Sequence, residues 1–412
     1  MRSSIPFLLC ASLLAVPAAA QTLPTVTFDA PAPQDPAPRD VPKAGEQGRL
    51  DRLLERLRPF IKSSPKKDGF RRGFYPKFGS VTTGGGVAAG PGYRYEGIGD
   101  GPVDADVFAR ASWQKYWQVE GRLSLARLDE GRRLLRAFTR VRDMPREDFF
   151  GFGSDSLEDD RVSYGLREAV IGALAQQQIG TGLRLHGGVE MVWPSTREGA
   201  DDSLPSIEEV FDTTRLPGFR DESDFLVLRG GGSYDRTDAP GNPTRGPQHL
   251  AEFARWQARG GSGVSFNTLQ LDLRQFVPLF GEGRVLALRA ALSQATPSSG
   301  GEVPLYYQPW LGGGKAMRGY RSFRFRDRAA LVTQAEYRHH LFSFLDGDVQ
   351  IGGVAYAEAG AVGRSAGNLG DFISDYGVGI RAGNRDGMFF RLEGVFGGGD
   401  GNRVLVKFGN AF

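Results

Sequence analysis

From about residue 70 to the end of the chain, hydrophobic and polar residues alternate with a period of two, and the alternation stops and resumes at turn-forming residues. Leu183, Leu185, Gly187, Val189, Met191 and Trp193 share one face of a strand, and Arg184, His186, Gly188, Glu190 and Val192 occupy the other. Leu269, Leu271, Leu273, Gln275 and Val277 alternate with Gln270, Asp272, Arg274 and Phe276. Ala335, Tyr337 and His339 alternate with Gln334, Glu336, Arg338 and His340, and Phe390, Leu392, Gly394 and Phe396 with Arg391, Glu393 and Val395. Strands of about ten residues with one apolar and one polar face, repeated this often, predict an all-β, transmembrane antiparallel β-barrel with lipid outside and a wet lumen inside. A soluble sandwich would instead turn those polar faces to bulk water.

The pattern places strands at 81–97, 104–113, 117–128, 131–144, 161–176, 180–193, 223–236, 248–258, 264–277 and 283–295 before a long gap, and at 328–341, 348–362, 373–383, 387–396 and 402–412 after it. That makes fifteen, whereas closed bacterial barrels have an even number. If both ends of the barrel face the periplasm and the gap is extracellular, an odd number of strands must precede it. The ten counted there are one short, and the 70–97 region is long enough to split at Gly84, Gly85 and Gly86, so about sixteen strands are expected. Segments 128–131, 176–180, 277–283, 341–348 and 383–387 then become short inner turns, and 144–161, 193–223 and 295–328 long outer loops. The 236–248 turn is longer than this rule wants.

The N-terminus is different in kind. Met1 and Arg2, an apolar centre from Ile5 to Val16, and Ala18 to Ala20 read as a secretory signal peptide over 1–20. Six prolines between 21 and 45 predict an extended linker. Leu50, Leu53, Leu54, Leu57 and Ile61 recur at helical spacing and predict a short amphipathic helix within 46–67, leaving 68–412 for the barrel. Cys10, the one cysteine, falls in the signal segment, so no disulfide or thiol chemistry is expected of the exported chain. Gly 58, aromatics at 11% and a mean hydropathy of −0.32 fit one large glycine-rich β structure, and a net charge of +3 gives no reason to expect nucleic acid.

The gap before the last five strands holds the most distinctive composition. Gly312, Gly313 and Gly314 free the backbone, and Arg318, Gly319 and Tyr320 set a planar cation beside a hinge and an aromatic ring, as in a loop folded back onto something. Arg324, Arg326 and Arg328 alternate into the following strand and are expected to line the lumen.

Enzymatic readings find little support. Gly363, Ser365 and Gly367 match G-x-S-x-G but fall between two strands rather than on a strand-to-helix elbow. Gly314-Lys315 lacks the rest of a phosphate loop. His339 and His340 point to opposite faces, and Glu147, Asp148 and Asp155 lack calcium-loop spacing, so no metal, cofactor or catalytic activity is expected.

The segment Met317-Arg318-Gly319-Tyr320 is similar to the (Val/Ile)-Arg-Gly-(Phe/Tyr) loop motif of the BamA/TamA-type outer-membrane assembly and translocation superfamily, the bacterial surface antigen family. Tyr356-Ala357-Glu358-Ala359-Gly360 resembles its Phe-x-Asp-x-Gly strand. Asp235, Arg236 and Asp238, with Asn242, Pro243 and Gly246, resemble its Asp-x-Arg-Asp and Asn-Pro-x-x-Gly turn. The resemblance implies a lumen-inserted loop latched by Arg318 to Glu358, where glutamate stands in place of the family's aspartate. It also implies an outer-membrane location, with outer-membrane lipid and either unfolded outer-membrane proteins or a periplasmic protein as partners. Residues 21–67 leave no room for a periplasmic POTRA domain, so a member lacking these is expected. Val404, Val406, Phe408 and Phe412 fall on one face of the last strand, and the terminal aromatic resembles the recognition signal of outer-membrane barrels.

Overall fold

The computed structural model describes residues 72–412 apart from 129–130, 221, 240, 261–263, 282, 299, 345–348, 385–386 and 410–411. The signal peptide, linker and amphipathic helix expected over 1–67 lie outside the described residues. Before the long loop come β1 (Arg72–Gly79), β2 (Ala88–Tyr95), β3 (Val103–Ser112), β4 (Trp117–Leu128), β5 (Arg133–Phe149) and β6 (Val162–Ile179). They are followed by β7 (Leu183–Glu198), β8 (Asp224–Asp235), β9 (Gly246–Arg259), β10 (Phe266–Pro278) and β11 (Arg284–Pro297). The loop contains β12 (Trp310–Leu311) and β13 (Phe325–Arg326), and after it run β14 (Ala329–Phe344), β15 (Val349–Ser365), β16 (Asn368–Leu369), β17 (Ile373–Gly383), β18 (Met388–Phe396) and β19 (Arg403–Lys407).

Three of these, β12, β13 and β16, are two-residue pieces, and the other sixteen form one meander in which each strand pairs antiparallel with the next. The 70–97 region divides into β1 and β2 around Gly84 and Gly86, both at positive φ. Among the described residues no ladder joins β19 to β1.

Burial along the strands is inverted relative to a soluble protein. Leu123, Leu135, Ile171, Val189, Leu228, Phe253, Leu273, Leu288, Val378, Ile380 and Val406 are exposed, while Glu168, Glu190, Arg229, Asp272, Arg289, Glu336, Glu358 and Glu393 are buried. Charged residues are rarely buried unless paired, so a sheet with this inversion has its charged face turned inward and its apolar face turned out. No helix among the described residues is long and apolar enough to cross a membrane.

The interior is filled at the loop end. Phe149, Tyr164, Ile207, Leu216, Phe219, Phe225, Trp256, Phe266, Leu305 and Tyr307 form one buried cluster drawn from the outer ends of the strands and the long loops between them. Phe225, Trp256, Phe266 and Tyr307 pack ring on ring at 4.6 to 6.0 Å.

The last strand differs from expectation. It ends at Lys407 rather than 412, and Phe412 does not join exposed Val404, Val406 and Phe408 on the outer face. It is buried against Phe276, Val285 and Ala287, with the Arg338 guanidinium 5.3 Å from its ring. Gly409 takes φ 87°, and its carbonyl accepts a hydrogen bond from Arg391 Nε at 2.8 Å, which breaks the period-two pattern and turns the chain inward.

Candidate functional site

The loop between β11 and β14 is closed at its base by β12 and β13, which pair Trp310 with Arg326 and Leu311 with Phe325. Beyond this base the chain makes bends that need unusual backbone angles. Gly312 and Gly313 have φ of 115° and 96°, and a Cβ at Gly312 would lie 2.0 Å from the Arg321 carbonyl oxygen. Met317 and Phe323 are also left-handed, at 55° and 63°. A turn from Met317 to Tyr320, closed by a 3.0 Å backbone bond, sets Arg318 and Gly319 at the tip.

Arg318 is fully buried, and each arm of its guanidinium meets a different carboxylate. Nε lies 2.7 Å from Glu358 Oε1, Nη2 lies 2.8 Å from Glu336 Oε2, and Nη1 lies 3.2 Å from Glu393 Oε1. Its backbone N–H donates to the second oxygen of Glu358 at 2.9 Å, and its guanidinium carbon stands 3.6 Å from the centre of the Tyr356 ring. The planar guanidinium forms ion pairs with three carboxylates that a lysine ammonium could not meet together. Gly319 donates its N–H to Asp375 at 3.0 Å, and a Cβ there would sit 2.9 Å from the Asp375 Cβ. Glycine is therefore what lets the tip press against the wall. Tyr320 is buried in a cluster with Leu311, Met317, Phe325, Val332 and Val362.

The wall side shows the same fit. Tyr356, Glu358 and Gly360 stand on the inward face of β15 at i, i+2 and i+4. They supply a stacking ring, an acceptor and clearance: a Cβ at Gly360 would lie 2.8 Å from Leu311 and 3.3 Å from the Met317 sulfur. Glu358 is directly opposite Gln334 on β14 and Asp375 on β17, and Gln334 Nε2 bonds both Glu358, at 2.7 Å, and the Lys315 carbonyl, at 3.0 Å. Arg391 holds the Gly314 carbonyl at 3.1 Å.

Other contacts come from the β1–β2, β5–β6 and β18–β19 connections. Ser322 lies against Gly84 in the β1–β2 turn. Arg321 meets Glu158 at 2.8 Å, and Arg324 meets both Asp400 at 3.1 Å and Ser156 at 2.7 and 2.9 Å. Contacts from both halves mean that the sheet curls around the loop. Arg324 and Arg326 are buried there, and Arg326 donates to the Leu305 carbonyl, while Arg328 is paired with Glu302 at 3.7 Å.

The β8–β9 turn is long because it folds inward and reaches the far wall. Asp235 accepts from Thr237 and Gln248 at 2.9 Å each, Asp238 accepts from the backbone N–H groups of Thr244 and Arg245 at 2.8 and 3.1 Å, and Arg236 reaches the Thr181 carbonyl at 2.9 Å. Partial burial works against the charged form of Asp238, but the bonds from Thr244 and Arg245 outweigh it and hold this carboxyl below its ordinary value. A Cβ at Gly246, where φ is 99°, would lie 2.3 Å from the Arg236 carbonyl oxygen. The turn, which contains Pro243, presents Asn242 to Gln350 at 3.4 Å and to Arg381 at 2.7 Å. Arg381 in turn meets Glu336 at 3.3 Å, so a continuous polar chain links Arg318 at the loop tip to Asn242 in the turn.

Nothing in the sequence singles out Glu336, Glu393, Asp375 and Arg381. Each lies on a polar strand face, but nothing short of the strand register brings them to Arg318. His339 stacks on Tyr337, His340 lies within 3.2 Å of Ser343, Asp148 is paired with Arg161, and Ser365 closes a tight hairpin opposite Asn368.

The sequence profile of the Omp85 superfamily domain matches residues 153–384, more than half of the chain. Among solved structures, the chain is similar to BamA from Haemophilus ducreyi lacking POTRA domains 1–3, with a TM-score of 0.60 and 12% identity over 82% of this chain and 67% of that one. It is also similar to CdiB from Escherichia coli, with a TM-score of 0.52 and 11% identity over 81% of this chain and 59% of that one. At such identities the likeness is one of fold. No curated protein matches the chain.

Proposed function

The chain belongs to the Omp85 superfamily, and from that premise we propose that it is a non-enzymatic outer-membrane barrel that takes part in assembling or translocating outer-membrane proteins or lipids. The observation that carries the proposal is the loop tip, in which Arg318 is held by three carboxylates and Gly319 by a fourth. Four wall carboxylates converging on one loop tip make sense if loop and wall act as a unit. The second support is a weak pair of terminal strands. Pro76 stands directly opposite Pro91 in the β1–β2 ladder, and β18 and β19 share five paired positions. A sheet whose ends pair poorly can part there toward the bilayer.

The test is depletion of the protein, followed by quantification of the outer-membrane proteome and of lipid asymmetry. Loss of particular outer-membrane proteins or of asymmetry is expected, and an unchanged membrane would sink the reading. The filled lumen favours a second reading over an open pore, namely a closed structural barrel without assembly activity. It would show low conductance in planar bilayers and leave the proteome intact on depletion.

A further inference from the structure

At the end of the barrel where strands meet in short turns, a cavity of about 220 Å³ opens between the β8–β9 turn and the inner walls of β14, β15 and β17. Arg338 and Arg381 both line it, together with Asn242, Gln350 and the apolar side chains of Val285 and Ile351. The two guanidiniums converge on one oxygen, Glu336 Oε1, at 2.7 and 3.3 Å, while the other oxygen of that carboxylate is taken by Arg318. Arg318 has Glu358 and Glu393 besides, but Glu336 is the one carboxylate paired with Arg338 or Arg381 among the described residues. The cavity therefore faces more positive than negative charge.

The donors are not exhausted either. Arg338 is buried with its guanidinium 5.4 and 5.3 Å from the centres of the Phe276 and Phe412 rings, and its Nη1 has no hydrogen-bond partner among the described residues. A buried, unpartnered arm of a charged group is costly, and an oxyanion in the cavity would satisfy it.

We propose that this cavity binds a phosphate-type oxyanion, gripped by Arg338 Nη1 and the field of Arg381. Phosphate is favoured by position, and its charge fits. The short-turn end of a barrel stands at head-group level, and a phosphodiester carries the single negative charge that one carboxylate between two guanidiniums leaves to be balanced. The oxyanion can come from a phospholipid head group or from free phosphate. The inference rests on the cavity and not on the assembly reading, and a membrane unchanged by depletion would leave it standing.

The probes are inorganic phosphate and dihexanoyl-phosphatidylglycerol, titrated calorimetrically into the full chain in a phosphate-free maltoside detergent. Saturable binding is expected for at least one probe: a response to the lipid alone assigns the head group as source, and comparable binding of both assigns the phosphate group itself. Arg338→Gln is expected to weaken binding about tenfold or more, from loss of a charge-assisted bond. Arg338→Lys, which keeps the charge but not the second arm, should weaken it less. Each variant is accepted only if it keeps the heat-dependent gel shift of the folded barrel. Absence of saturable binding, acetate binding as tightly as phosphate, or unchanged affinity in a folded Arg338→Gln protein would overturn the proposal.

Discussion

Arg318 shows why a single buried cation can need several anions. Taking a guanidinium out of water is expensive, and the cost is met only when every arm finds an acceptor of opposite charge. Here three carboxylates and a tyrosine face do so. Arg318→Ala removes the centre of that set and leaves Glu336, Glu358 and Glu393 crowded without it. Loss of about 3–5 kcal/mol is expected, the scale for breaking a buried pair, read as a shift in urea unfolding of the barrel in lipid vesicles. Arg318→Lys is expected to recover only part of that loss, since one ammonium cannot span the three positions.

Asp238 allows a test by pH at the same scale. Its folded-state pKa is depressed by the bonds it accepts from Thr244 and Arg245, so the stability it lends the turn is fully present above its ordinary value of 3.8 and is lost as pH falls through the lower folded value. Hydrogen exchange at the Thr244 and Arg245 amides, corrected for intrinsic rate, should be constant from pH 7 to about 5 and rise only in more acidic solution. Asp238→Asn should remove that acid dependence.

At the scale of elements, the strands were legible because period two reports which residues share a face. Tyr356, Glu358 and Gly360 could be read together for that reason, and so could the split of 70–97, once parity demanded another strand. What the alternation does not contain is register. Glu336, Asp375 and Glu393 sit on faces already recognised as polar, but their meeting at Arg318 depends on how β14, β15, β17 and β18 slide against one another. Phe412 departs from the alternation for a different reason: the period-two pattern continues in the sequence through Gly409, while the chain turns there into the lumen.

The loop is an element whose position depends on one absent side chain. Gly319→Ala places a methyl 2.9 Å from the Asp375 Cβ and 3.2 Å from the Gly398 Cα, so the tip must back away from the wall. Planar-bilayer recordings should show low conductance for the unaltered protein and more frequent open events for Gly319→Ala. Equal conductance in the two would mean that the tip does not help to close the lumen.

Across the whole molecule, stability is expected to fall from the middle of the meander toward its two ends. β5, β6 and β7 are 17, 18 and 16 residues long and pair along most of their length, and β14 and β15 are 16 and 17. The terminal strands β1 and β19 have 8 and 5 residues. Pro76 and Pro91 face one another without an N–H to donate, and the β2–β3 register skips Gly90 and Pro91. Local opening follows the number of paired backbone groups and the contacts around them, so these ends should open without unfolding the rest. Hydrogen exchange followed by mass spectrometry on the protein in nanodiscs tests this. Peptides from β1, β2 and β19 should exchange on the order of ten or more times faster than those from β5 to β7. The Arg318 tip is fastened to β14, β15, β17 and β18 and leaves β1 and β2 out of its ion pairs, so Arg318→Ala should speed exchange in the former group and leave the latter unchanged. Uniform exchange around the barrel would show that its ends are as firmly held as its middle, and would remove the second support of the assembly reading.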